Sequence, residues 1–331
     1  MILSRMFAAA LAGLLWVAPS LFAPGFVASA WAADKLRLAI QANGTFGWEL
    51  AVARAYGLDK AAQLELETTE LATTEAGKIA LVGGGADIIV SDWLWVARER
   101  ALGQPLLFSP HSTALGAVMA KEPAKFSRAA DLVGKKLGVS GGPLDKSWLL
   151  LQAWALKQGV DLKSQASIVY GAPALLAEKL AQGELDAALE FWTFCARLEA
   201  KGFGRAVDLI DVEKELGANN PVIVTGYVFT PAFAARQGPA LARFLTMMRE
   251  AKKLIAEDES AFGKIAGMTG LPDAAGQAIV RRYYRAGVPT ASIDSEIADA
   301  AALYRVLAKL GGPQLVGGDA ELDQALFYRA P

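Results

Sequence analysis

The sequence predicts an α/β protein built as two similar lobes, each a mostly parallel sheet covered by helices on both faces. Three observations carry this expectation. Short apolar strands alternate with helices of ordinary length, which is the pattern of βαβ units. Two stretches about 100 residues apart share the same succession of residue types. The chain has 331 residues, 53% of them hydrophobic and 20% charged, enough for one large or two ordinary domains and too apolar for disorder to be its main state.

The first element is a leader. Arg5 is a short positive start, Phe7–Ala18 is an apolar run, and Ala30-Trp31-Ala32 places small residues at the two positions that specify cleavage. The uncharged stretch is long enough for a membrane anchor, but Pro19, Pro24 and Gly25 interrupt its helix. Residues 1–32 are therefore expected to be a signal peptide cleaved near Ala32, and the mature chain to be exported. The leader has no cysteine, which excludes lipid attachment there. Export without any disulfide fits a bacterial periplasm.

The mature chain follows element by element. Leu36–Ile40 reads as a buried strand, Gly44-Thr45-Phe46-Gly47 as the turn after it, and Trp48–Tyr56 as a helix stopped by Gly57. Leu64–Thr68 alternates as a strand does. A helix through Lys78–Val82 ends at Gly83-Gly84-Gly85, Asp87–Val90 is a strand, and Leu94–Leu102 is a helix ending at Gly103. The pattern then restarts. Lys136–Val139 is a strand, Gly141-Gly142-Pro143 a turn, and Lys146–Lys157 a helix ending at Gly159. Ser167–Tyr170, Pro173–Ala181 and Leu185–Leu189 continue as strand, helix and strand. In each half an aspartate, Asp87 or Asp186, opens a buried strand with a tryptophan, Trp93 or Trp192, six residues on. Trp48 and Trp148 likewise each begin a helix after a strand and a glycine turn.

In open parallel sheets ligands bind where strand C-terminal ends meet helix N-terminal ends. The residues at that edge are Thr45, Phe46, Trp48, Asp92, Trp93, Ser140, Gly141, Gly142, Lys146, Ser147, Glu190 and Trp192. Aromatic walls with hydroxyls and helix-end amides describe a binding site more than a catalytic one. Trp93 and Trp192 are core or cleft residues, and Lys146 a surface or an anion-facing one.

Composition removes other chemistries. With 33 basic and 34 acidic residues, the chain lacks the basic surplus of a nucleic-acid binder. One cysteine and one histidine exclude disulfide frameworks and cysteine-cluster metal sites. No catalytic residue, metal or cofactor is expected. Cys195, among apolar neighbours, is expected to be an inert thiol. His111, at the first crossing between Ser109 and Ser112, is expected in a hinge hydrogen bond, with ligand contact as the alternative. The glycines at 83–85 precede a strand and lack the Lys-Ser/Thr ending of a phosphate loop. Arg281-Arg282-Tyr283-Tyr284-Arg285 is expected on a solvated helix face.

The leader, Lys35-Leu36-Arg37-Leu38-Ala39, the glycine turn, Gly85-Ala86-Asp87-Ile88 and Asp131-Leu132-Val133-Gly134-Lys135-Lys136-Leu137-Gly138-Val139, which resembles a "DLKGKKIGV" segment, are together similar to the NitT/TauT (SsuA/THI5-like) substrate-binding proteins of ABC transporters. The resemblance covers nearly all of Lys35–Leu310. It implies a type II-like periplasmic binding protein fold: two lobes, 33–117 with 226–331 and 118–225, joined by crossings near Ser109–Lys121 and Pro221–Thr230. The C-terminal helices, Ser295–Lys309 included, are then expected on the first lobe. It implies a monomer that closes on a small molecule and delivers it to an inner-membrane permease. A periplasmic sensor or accessory protein, serving a receptor or dehydrogenase, stays open as an alternative. A THI5-like pyrimidine synthase is disfavoured, because that branch's cysteine-rich iron segment has no counterpart here. Asp92 and Glu190, at corresponding edges of the two halves, argue for an amine-bearing or heteroaromatic ligand over a simple anion.

Overall fold

The computed structural model describes residues 33–42 and 44–329, so the expected leader and its cleavage site lie outside the described residues. Among the described residues ten strands form two five-stranded sheets. The first contains β1 (Asp34–Gln41), β2 (Leu64–Leu71), β3 (Ile88–Asp92), β4 (Leu107–Ser112) and β10 (Thr225–Phe229), in the order β2-β1-β3-β10-β4. The second contains β5 (Ala117–Ala120), β6 (Lys136–Ser140), β7 (Ser167–Gly171), β8 (Ala187–Glu190) and β9 (Gly204–Asp208), in the order β7-β6-β8-β5-β9. The two orders follow one plan. In each, three parallel strands are followed by one antiparallel strand, β10 or β5, contributed from across the molecule.

A matched pair of contacts gives the repeat its physical basis. Asp87 pairs its own backbone with Arg37, and its carboxylate accepts from the Arg37 N–H at 2.9 Å. Asp186 does the same with Lys136, accepting from its N–H at 2.7 Å. Each aspartate locks the third strand of its sheet onto the first, at the entry to a strand with buried apolar neighbours on both faces. The Arg37 guanidinium adds an ion pair at 2.7 Å in the first sheet only, holding Asp87 below the usual carboxylate range against the effect of its burial.

The chain passes between sheets twice, over residues 113–116 from β4 to β5, and over 216–224 from the helix Leu209–Glu215 to β10. Glycines sit where these passages come closest to other backbone. A Cβ on Gly116 would lie 1.6 Å from the Glu190 carbonyl oxygen, and one on Gly226 would lie 2.3 Å from the Phe108 ring.

The C-terminal helices correct one expectation. Gly238–Glu257 packs on the first sheet's helix Thr45–Ala55, but Ala274–Ala286 packs on Trp192–Ala200, and Ile293–Gly311 packs on Lys146–Lys157. The last of these also meets the first half, with the Tyr304 ring 6.3 Å from Trp93. Its apolar stripe (Ile297, Ala300, Tyr304, Leu307) belongs to one hydrophobic cluster that also takes in Ile89 and Trp93 of the first half and Leu137 and Trp148 of the second. Burying that stripe needs surface from both halves, so the helix spans them. No helix among the described residues is long and apolar enough to cross a membrane.

Candidate ligand-binding cleft

The strand ends of both sheets border a cleft of about 430 Å³. The local sequence accounts for its rim, because each βα turn delivers a helix N-terminus there. Two of those ends are capped by their own carboxylates: Asp92 accepts from the Trp95 N–H at 2.8 Å and Asp145 from the Ser147 N–H at 2.9 Å. Three others, opening Thr45–Ala55, Pro173–Ala181 and Trp192–Ala200, have no side-chain cap because Gly44, Ala172 and Phe191 precede them.

Thr45, Phe46, Asp92, Gly141, Gly142, Lys146, Ser147 and Trp192 line the cleft. Trp48, Trp93, Ser140 and Glu190 do not, and each has a specific reason. Trp48 is buried and meets the Trp192 ring edge-on at 5.9 Å, backing the wall instead of forming it. Trp93 turns into the core, where its Nε1–H donates to the Ile223 carbonyl at 2.8 Å. Glu190 is fully buried, with Ser140 Oγ–H donating to its Oε2 at 2.5 Å and its Oε1 without a partner. Burial pushes the Glu190 carboxyl well above the usual range, outweighing the Ser140 hydrogen bond. The expectation of two facing carboxylates fails on register. Asp92 lies five residues after Asp87, and the residue five after Asp186 is Phe191. Glu190 is one position earlier, and on a strand one position is the opposite face.

Phe191 therefore stands where the first half has Asp92, and it lines the cleft. Lys146 Nζ lies 4.5 Å from the centre of the Phe191 ring and 3.8 Å from Asp145 Oδ2, so its charge is held at the cleft wall. Asp145 itself is pushed up by burial, opposed by Lys146 and reinforced by the charge of Asp92. Tyr170, at the end of β7, is a further aromatic on this wall. Phe191 was findable by aligning the two repeats on their aspartates; Tyr170 carries no comparable signal.

Behind the cleft lies a buried polar cluster that the sequence pattern does not announce. Glu49, on the helix Thr45–Ala55, is within 2.7 Å of Lys252 Nζ and 3.1 Å of His111 Nε2, and it accepts from the hydroxyls of Tyr227 at 3.2 Å and Tyr284 at 3.0 Å. Burial would raise the Glu49 carboxyl, but its cationic and hydrogen-bonding partners hold it at about 2. Tyr284 thus faces inward, and Tyr283 donates to Glu199 at 2.8 Å, so the basic-aromatic run is not a wholly solvated face. Cys195 is buried with its thiol pushed up to about 12, chiefly by burial. Among the described residues no cluster of three metal-ligating side chains occurs.

Comparison with known proteins agrees with this architecture. A family model described as NMT1/THI5 like matches residues 49–261. The chain belongs to that family. Among solved structures, this NMT1/THI5-like chain resembles the alkanesulfonate-binding protein SsuA from Xanthomonas axonopodis pv. citri bound to MOPS, with 19% identity over 90% of this chain and 99% of that one and a TM-score of 0.70. It also resembles the periplasmic aliphatic sulphonate binding protein SsuA from Escherichia coli (19% identity, 88% and 96% covered, TM-score 0.65). A third match is the periplasmic nitrate-binding protein NrtA from Synechocystis PCC 6803 (11% identity, 89% and 87% covered, TM-score 0.64). These likenesses establish the two-lobed binding-protein fold. Curated proteins give no match.

Proposed function

We propose that this chain is the periplasmic solute-binding component of an ABC importer, and that its ligand is a small organic molecule with a flat apolar or heteroaromatic body and an amine. The observation that carries the reading is the cleft. Its volume of about 430 Å³ is in the range of sites for organic ligands, and an anion the size of nitrate would leave most of it empty. Phe46 on one side and Tyr170, Phe191 and Trp192 on the other give the cleft an aromatic lining suited to a flat ligand. Asp92 is the carboxylate that an amine would meet, since its Oδ1 caps the helix and its Oδ2 has only Ser91 Oγ at 3.5 Å. Closing the two halves about residues 113–116 and 216–224 would then enclose the ligand and present a closed monomer to a membrane permease.

A specific observation favours a second reading, an organic acid such as a sulfonate. Lys146 and three uncapped helix N-termini border the same cleft, and such groups suit an anionic head. The two readings separate by calorimetry on aromatic amines, taurine, simple sulfonates and nitrate, with native mass spectrometry of protein from its own periplasm to identify a copurified ligand. On the amine reading Asp92→Asn lowers affinity about tenfold to a hundredfold, and Lys146→Met does not. The reverse pattern, with tight sulfonate binding, supports the acid. Uptake that persists in a deletion strain would favour a sensor or accessory role over an importer.

A further inference from the structure

His111, the only histidine of the chain, is set at an irregularity in β4. Gly226 of β10 pairs with Pro110 and Thr225 with Ser112, which leaves His111 as the unpaired residue of a bulge. Bulges re-aim side chains. Here the imidazole lines the main cleft and also a second cavity of about 10 Å³ bordered by Thr45, Glu49, Lys252 and Tyr284. That cavity holds one water-sized group.

Within the buried cluster, the hydrogen-bonding capacity left over belongs to His111. Glu49 takes contacts from Lys252, Tyr227 and Tyr284, and Lys252 Nζ also donates to the Tyr227 hydroxyl at 3.1 Å. His111, by contrast, has spare capacity: Nε2 lies 3.1 Å from Glu49 Oε2, and Nδ1 is buried without a hydrogen-bond partner. An ionised carboxylate beside Nε2 favours the tautomer with its hydrogen there, assigned from the contact. Nδ1 then carries a bare lone pair. A buried acceptor with no partner in a cavity-lining side chain calls for a donor from outside the chain.

We propose that His111 and the small cavity form a subsite for one N–H-bearing nitrogen of the ligand, with Nδ1 as acceptor and Glu49 as the residue that fixes the ring. This rests on the amine reading above and adds that the amine is recognised by hydrogen bonding at the cleft floor, beyond its charge at Asp92. Burial, and then the charge of Lys252, lower the His111 pKa while Glu49 opposes them, so the ring is a neutral acceptor near neutral pH. The charged and titratable groups facing it are Glu49, Lys252, Tyr227 and Tyr284, each from a different element.

The probes are benzylamine, with N–H donors, and N,N,N-trimethylbenzylammonium, with the same charge and ring but none. Binding is read by calorimetry on the full mature chain. The subsite predicts that benzylamine binds at least about tenfold tighter, that His111→Leu removes this preference, and that His111→Gln, which keeps an acceptor oxygen, restores part of it. Nitrogen-15 NMR of the single histidine in the unaltered chain provides a readout independent of variant folding: benzylamine shifts the Nδ1 resonance and the quaternary probe does not. Equal binding of the two probes, or an unmoved Nδ1 resonance on benzylamine binding, overturns the subsite and leaves the cleft reading standing. Failure of both probes to bind overturns both.

Discussion

The return passage between the sheets is held by carboxyl groups whose protonation is tied to folding. Glu213, on the helix Leu209–Glu215, accepts from the Val222 N–H at 3.2 Å, and Glu296, on the helix Ile293–Gly311, accepts from the next amide, Ile223, at 3.4 Å. Glu213 is fully buried and its Oε1 has no partner. Burial raises it from 4.5 to about 8, only partly offset by the Val222 amide and reinforced by the charges of Asp208 and Glu296. A carboxyl raised in the folded state contributes stability that is present in full below the unfolded value and is lost as pH climbs through the folded one. From 4.5 to about 8, at 1.36 kcal/mol per pH unit, the loss is about 5 kcal/mol. Glu213→Gln keeps an oxygen for Val222 but buries an amide nitrogen in place of the unpartnered Oε1, at a cost of about 1–3 kcal/mol. The variant should therefore be less stable than the parent by about that much at pH 5, and more stable by about 2–4 kcal/mol at pH 8.5, the difference of the two terms. Urea unfolding at the two pH values, followed by tryptophan fluorescence, measures both. An effect of the same sign and size at pH 5 and pH 8.5 would refute the claim that Glu213 is protonated in the folded chain.

Glu49 works in the opposite direction: its folded value of about 2 against 4.5 gives stability present above pH 4.5 and lost as pH falls toward 2, about 3 kcal/mol in size. Glu49→Gln strands Lys252 and should cost about 3–5 kcal/mol at pH 7, with a flatter acid limb in an unfolding series from pH 6 to pH 3. Glu190→Gln should leave ligand affinity within about twofold, because the carboxyl is buried, faces Ser140 and does not line the cleft; a tenfold loss by calorimetry would mean that Glu190 reaches the ligand. Gly116→Ala forces the first passage away from the Glu190 carbonyl, where the added carbon would stand at 1.6 Å. It should cost at least about 1–3 kcal/mol, read as a lowered midpoint of thermal unfolding, and an unchanged midpoint would contradict the close approach.

Much of the architecture was legible from the sequence, because it depends on local pattern. Strand and helix periods, glycine stops and the matched Asp87 and Asp186 predict two repeated α/β halves, and the structure has two five-stranded sheets of one plan. Boundaries moved where a cap overrode the pattern: the first helix starts at Thr45, since Gly44 is its N-cap and the turn continues into it. Eight of the twelve residues expected at the binding edge, among them Asp92, Lys146 and Trp192, line the cleft because position at a βα turn is a local property. The direction of a side chain is not local. Trp93 and Trp192 occupy the same place in the repeat, yet Trp93 finds a carbonyl at Ile223 and a ring at Tyr304, whereas Trp192 stays at the cleft against Trp48. Those partners come from segments more than a hundred residues away in one case and from the other half in the other. Glu49, His111, Lys252, Tyr227 and Tyr284 are likewise scattered along the chain and meet only when five elements pack. The sequence by itself determined which elements form and how they repeat; the tertiary structure decided which polar groups are buried together, because desolvation makes them seek partners that only long-range packing brings within reach.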